Sequence, residues 1–280
     1  MLLDAFKAEA YRLSKNRIAL FWGVGFVPLV MLIGGSFTAY FVINKSRQMK
    51  TSIETAATSD LAAPLVALSG QLANVATIAF LLIAASTLFA GDYRWETWRL
   101  ISARNSRPNL MAGKLLTMLG LVVVSSLLFL LSGLLLLVIA GLFEGQPMTL
   151  AMSAEQGRHL VLFSALGMAR IIQVVVLALL AATVTRSLMA ALFVPIALSI
   201  AQSMAQNFLV FASIMPTDWQ AIFFSPGLAF SHIKTAIQWG LPPELADRVL
   251  ALSLTSLGLW IAVPLIASFI LFQRQGMSKE

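Results

Sequence analysis

Apolar residues run almost without interruption through six stretches of the chain, 18–43, 61–90, 115–143, 160–184, 188–211 and 249–272. A helix needs roughly 20 mostly apolar residues to cross the hydrocarbon core of a bilayer, and each stretch meets that length. The pattern predicts an all-α polytopic membrane protein with six transmembrane helices and a single transmembrane domain over 1–280, since nothing of soluble-domain size remains between the runs. Ahead of the first run, Leu3, Phe6, Ala10, Leu13 and Arg17 recur at helical spacing, while Asp4, Lys7, Tyr11 and Lys15 occupy another face. Residues 1–17 therefore read as an amphipathic elbow helix in the inner headgroup layer, with Leu3, Phe6 and Leu13 toward the acyl chains and Lys15 toward lipid phosphates. A frayed, solvated tail is the alternative. The first run is far longer than the roughly 7–15 residues of a signal-peptide core and reads as an uncleaved anchor.

Breakers interrupt several runs. Pro28, Gly34, Gly35, Pro195 and Pro264 fall inside them, and membrane helices tolerate such residues where neighbours satisfy the freed backbone groups. Between the fifth and sixth runs, 212–248 carries its own apolar piece, 221–233, interrupted by Pro226-Gly227 and bracketed by Trp219 and Trp239. That piece is too short to span and too apolar to float in water, so a re-entrant or interfacial outer segment is expected. A seventh span would put Arg274 and Lys279 outside.

Composition agrees with the pattern: 59% of residues are hydrophobic and 11% charged, against about a quarter charged in soluble domains. The cations orient the chain, because Lys and Arg beside spans are retained on the cytoplasmic side. With the N-terminus inside, the inner segments hold Lys7, Arg12, Lys15, Arg17, Arg94, Arg99, Arg104, Arg107, Lys114, Arg186, Arg274 and Lys279, and the outer ones Lys45, Arg47, Lys50, Arg158, Lys234 and Arg248. Both termini are thus expected in the cytoplasm. The net charge of +7 consists largely of these anchors and does not point to nucleic acid. Cysteine is absent, which excludes disulfides, thiolate metal sites and thiol catalysis.

One polar stretch breaks the apolar background, 91–114, GDYRWETWRLISARNSRPNLMAGK. It holds Arg94, Arg99, Arg104, Arg107 and Lys114, the acids Asp92 and Glu96, and Trp95 and Trp98. A helix over 92–102 would place Asp92, Glu96 and Arg99 on one face and Tyr93, Thr97, Leu100 and Ile101 on another. Asp92 would cap its first amides. Asn105, Ser106 and Pro108 would end it, Pro108 suiting the first turn of the next helix. Such a segment, held across the membrane surface over 92–108, is suited to gripping a cytoplasmic partner through Asp92, Tyr93, Arg94, Trp95, Glu96, Thr97, Trp98, Arg99, Arg104 and Arg107.

Layout and loop together resemble the permease subunits of ABC-2 type transporters, mostly bacterial exporters. Such permeases have a cytoplasmic elbow helix, six spans, a coupling segment between the second and third, and a re-entrant outer region between the fifth and sixth. In the coupling segment Asp92, Thr97, Ser106-Arg107 and Gly113-Lys114 fall at matching places. Glu96 stands where that family frequently has glycine, and the turn before Ser106 is one residue shorter. The resemblance implies a subunit of the bacterial inner membrane that forms the translocation path. It also implies two copies of a cytoplasmic ABC ATPase that carry the ATP and Mg, and a second permease subunit, identical or not. No G-x-x-x-x-G-K-[ST] phosphate cradle occurs in this chain, so no cofactor is expected on it.

Arg170 stands alone in the fourth run, with Gln173 on its face and no carboxylate in any run to neutralise it. A cation at that depth costs about 2.5–3.5 kcal/mol on insertion scales. It reads either as a contact to an anionic or carbonyl-rich substrate, or as an interhelix clamp on backbone carbonyls or on Gln202, Gln206 or Asn207. His159 and His232 are isolated, and no hydrolase or zinc motif occurs, so an enzyme is not expected. A secondary transporter and a non-transporting adaptor or immunity protein that docks a cytoplasmic partner stay open beside the exporter. The apolar runs lean toward a lipid-like or amphipathic cargo.

Overall fold

A long apolar run folds as a helix in any environment poor in water, because only there are all its backbone donors and acceptors paired within the segment. In the computed structural model, which describes residues 2–48, 59–94, 105–145, 147–211, 214–240 and 243–275, the chain is accordingly almost all helix. Helix α1 is Leu2–Lys15; α2 runs from Arg17–Leu20 through a π-helical turn, Phe21–Gly25, into Phe26–Gln48. Then come α3 (Ala62–Ser69), α4 (Val75–Arg94), α5 (Arg107–Glu144), α6 (Ala154–Thr185) and α7 (Leu188–Phe211). Helices α8 (Trp219–Phe224), α9 (Pro226–Trp239) and α10 (Pro243–Arg274) complete the order. Two short strands, β1 (Ser59–Asp60) and β2 (Met148–Thr149), pair in parallel and tie the segment before α3 to the one before α6.

Among the described residues, five helical stretches are long and apolar enough to cross a membrane: Arg17–Lys45, Val75–Tyr93, Arg107–Glu144, Ala154–Thr185 and Ala246–Arg274. The chain is therefore an all-α protein of the multi-pass membrane type. Over the residues whose side chains are described, α7 contributes a shorter apolar stretch, Leu188–Gln202, and Pro195 lies inside it.

The run 61–90 is not the single helix its hydropathy suggests. It breaks after Ser69, turns through residues 70–73 and restarts as α4. Asn74 makes the restart: its Oδ1 accepts the Thr77 amide at 2.9 Å and its Nδ2 donates to the Gln71 carbonyl and to Thr77 Oγ1, both at 2.9 Å. A side chain that satisfies the local backbone offers an alternative to helix continuation. Helix α4 then carries on past residue 90 to Arg94, so Asp92 sits in its last turn instead of opening a new helix.

Helix α1 packs on the bundle through small and polar side chains. Its buried stripe is Ala5, Glu9 and Leu13, one residue every four, whereas Leu3 is 59% exposed. Phe6 is half-buried and Lys15 exposed. The stripe packs on α5, where Gly113 has no side chain; a Cβ there would lie 2.9 Å from the Ala5 backbone carbon. Asn16 separates α1 from α2 and caps the latter, its Oδ1 accepting the Ala19 amide at 3.1 Å.

At the centre, α4 and α6 bury Leu81, Leu82, Ala84, Val174 and Ala178 completely. Gly23, in the π turn of α2, meets α4 so closely that a Cβ would stand 2.6 Å from that of Ala84. Trp22, Phe26 and Phe80 stack over the same crossing. The segment between α7 and α10 folds as two helices broken at Ser225, whose hydroxyl accepts the Leu228 amide at 3.3 Å. They pack back on the bundle: Ile222 and Leu228 cluster with Val249, and Ile233 with Leu166 and Leu257. The Ser256 hydroxyl and Trp260 indole of α10 donate to the carbonyls of Ile222 and Phe223 at 2.8 and 2.9 Å. Trp219 and Trp239 are both exposed.

Candidate functional site

The polar stretch 91–114 is described at its two ends. Residues 95–104, which include Trp95, Glu96, Thr97, Trp98, Arg99 and Arg104, lie outside the described residues. Arg94 is the last residue of α4. Both ends are fixed by polar side chains, and each end reaches other parts of the fold.

The first anchor is a four-charge cluster. Lys114, in the second turn of α5, reaches Asp92 Oδ2 at 2.6 Å and Glu9 Oε2 at 3.2 Å, and donates to the Leu88 carbonyl at 2.8 Å. Arg12 closes the ring from α1, at 2.6 Å from Asp92 Oδ1 and 3.1 Å from Glu9 Oε1. Lys114, Asp92 and Glu9 are all buried, whereas the Arg12 side chain is 45% exposed. Among the described residues two cations and two carboxylates balance here, which is the condition for burying charge at tolerable cost. The Arg12 guanidinium is held above its ordinary pKa, chiefly by its hydrogen bond to Asp92 and also by the Glu9 charge, against the opposing effect of burial. Asp92, expected to cap a helix start, is thus the carboxylate that joins α4 to α1 and α5.

The second anchor lies at the start of α5. Arg107 donates from Nη1 to the carbonyls of Gln273 and Gln275, at 2.9 and 2.8 Å. Tyr93 donates its hydroxyl to Gln275 Oε1 at 3.1 Å, and Gln275 Nε2 donates at 2.5 Å to the Thr183 carbonyl at the end of α6. Pro108 stands in the first turn of α5 behind Ser106, as its spacing suggests. Asp92, Tyr93, Arg107 and Lys114 thereby connect the two ends of 95–104 to α1, α6 and α10.

Sequence reasoning missed Glu9, Arg12 and Gln275. Glu9 carried a signal, because an acid sits in the stripe Ala5–Glu9–Leu13 with Lys114 elsewhere to receive it. Gln275 carried none.

Arg170 occupies the middle of α6 and is 6% exposed. It donates to Gln173 Oε1 on its own helix. The side-chain oxygen and nitrogen of Gln202 have no hydrogen-bond partner; the side chains of Gln206 and Asn207 lie outside those described. Beside Arg170 lies a cavity of about 310 Å³ between α4, α6, α7 and α9, lined among others by Ile78, Ser199, Gly227 and Phe230. Among the described residues no group of three or more His, Asp or Glu side chains converges as metal ligands would.

No family model, curated protein or solved structure matches this chain.

Proposed function

We propose that the chain is the membrane-spanning permease subunit of an ATP-driven ABC-2 type exporter of the bacterial inner membrane. In this reading α7 is the fifth of six crossings and α10 the sixth, α1 lies along the inner interface as an elbow helix, α8 and α9 form the re-entrant outer region, and both termini are cytoplasmic. A cytoplasmic ABC ATPase, present in two copies, carries ATP and Mg, and a second permease subunit completes the path.

The observation that supports this most is the double anchoring of 95–104. A handle transmits force only if its ends are stiffly joined to the parts that must move. Here the two ends grip α1, α6 and α10 through buried ion pairs and hydrogen bonds. Closure of an ATPase can shift the spans only if it holds the handle differently in its two states.

The test is co-expression with an ATPase encoded beside this chain. The pair should co-purify, and candidate amphipathic cargoes should stimulate its ATP hydrolysis. Scrambling 95–104 should abolish both co-purification and stimulation while leaving the permease folded in the membrane. Labelling of Arg99→Cys from outside intact cells, or full activity with the scrambled handle, would defeat the reading.

A further inference from the structure

Arg170 is a buried cation with no counter-ion among the described residues. It lies near the middle of the 32-residue α6, and among the described residues no carboxylate stands within ion-pair distance of it. A guanidinium carries five N–H donors, and the partner it has here is the Gln173 amide oxygen on the same helix. A cation in such surroundings faces the protein interior or a wet cavity. The cavity of about 310 Å³ next to it supplies that space.

The lining has two characters. Its polar lining includes Arg170 and Ser199, and Gly227 borders Arg170, where a Cβ would make an ordinary contact with Nη2 at 3.5 Å. Its apolar lining includes Ile78, Ile196 and Phe230. Val75, at the start of α4, also lines the cavity and is 55% exposed, so the cavity opens to the outside there.

We propose that this cavity binds the headgroup of an anionic amphiphile, a phosphodiester or carboxylate carried on a hydrocarbon chain. The anion would neutralise Arg170 through charge-assisted hydrogen bonds. At about 310 Å³ the space is at the small end of ligand sites and holds a headgroup with its first methylenes. The rest of the chain leaves past Val75 along the apolar surface. A zwitterionic headgroup such as phosphocholine brings its own ammonium to a site that already holds a cation, and a free anion loses its hydration without gaining the apolar wall. The proposal concerns binding by this chain alone and does not depend on ATP-driven transport.

The purified chain in a neutral detergent is titrated with dioctanoyl phosphatidylglycerol, dioctanoyl phosphatidylcholine and inorganic phosphate, with binding read by native mass spectrometry and by thermal stabilisation. Phosphatidylglycerol should bind saturably and at least about tenfold more tightly than phosphatidylcholine, and phosphate alone should not compete. Arg170→Gln should weaken phosphatidylglycerol binding about 10–100-fold, the loss expected for one charged hydrogen-bonding partner, and leave phosphatidylcholine unchanged. Ser199→Leu keeps the charge and fills the space; it should weaken binding as much, and it decides the matter if Arg170→Gln folds poorly. Equal binding of the two lipids, unchanged phosphatidylglycerol binding in Ser199→Leu, or competition by phosphate as strong as by the lipid would each overturn the proposal.

Discussion

Replacing Lys114 with Met tests whether the four-charge cluster holds α1 to the rest of the fold. The Met side chain keeps most of the volume and all of the apolar contact, so the change is chiefly electrostatic. It removes the 2.6 Å pair to Asp92, the 3.2 Å pair to Glu9 and the 2.8 Å bond to the Leu88 carbonyl. What remains is two carboxylates and one cation, with the Lys114 side chain itself only 3% exposed in the native protein. Breaking a buried pair by removing one partner costs about 3–5 kcal/mol. Arg12 still reaches both carboxylates, which places the expected loss at the lower end, about 3 kcal/mol. The assay is reversible unfolding of the purified protein in mixed micelles, followed by tryptophan fluorescence. Adding Glu9→Gln to Lys114→Met restores neutrality, because Arg12 then faces Asp92 alone. The double variant should therefore be more stable than the two single losses summed, with a coupling of about 1–2 kcal/mol. A Lys114→Met protein within about 0.5 kcal/mol of the native one, the spread of ordinary surface changes, or strict additivity of the two substitutions, would refute the argument.

Three further outcomes follow from other contacts. Gly113→Val places side-chain atoms where Ala5 approaches to 2.9 Å; it should cost about 1–3 kcal/mol and lengthen the spin-label distance between α1 and α5. Arg107→Ala frees the carbonyls of Gln273 and Gln275, so amide exchange should quicken at the C-terminal turn of α10 while the middle of α5 stays protected. Ser153 and Gln156 form a reciprocal cap on α6, with bonds of 3.1 and 2.8 Å. Ser153→Ala should remove about 1 kcal/mol and raise exchange in the first turn of α6 only.

Four of the apolar runs read from sequence, 18–43, 115–143, 160–184 and 249–272, correspond to helices that are long enough to cross a membrane. Their legibility has a simple cause, since the signal is one-dimensional and sustained. The run 61–90 misled because its break is made by Asn74, whose side chain caps α4, and hydropathy barely notices one polar residue. Asp92 misled for a different reason. Local rules make an acid after an apolar run a helix start, yet α4 continues to Arg94 with that acid paired to Arg12 and Lys114. The contact of α1 with α5 was not legible either, because it runs through Ala5 against Gly113, and close helix approach selects small residues that periodicity scores weakly. Glu9 and Lys114 are 105 residues apart, a pairing no local window can see. Arg170 and Gln173 were visible as a pair, but the open space beside them arises from four helices together.

The closed arithmetic of the Glu9–Arg12–Asp92–Lys114 ring constrains how this protein can drift over generations. Losing or reversing any one of these charges strands its opposite in a dry place, so substitutions here are tolerable chiefly as matched exchanges on separate helices. Orthologues in which position 9 has become neutral should carry a neutral residue at 114 as well, and the ring should vanish in pairs or persist entire.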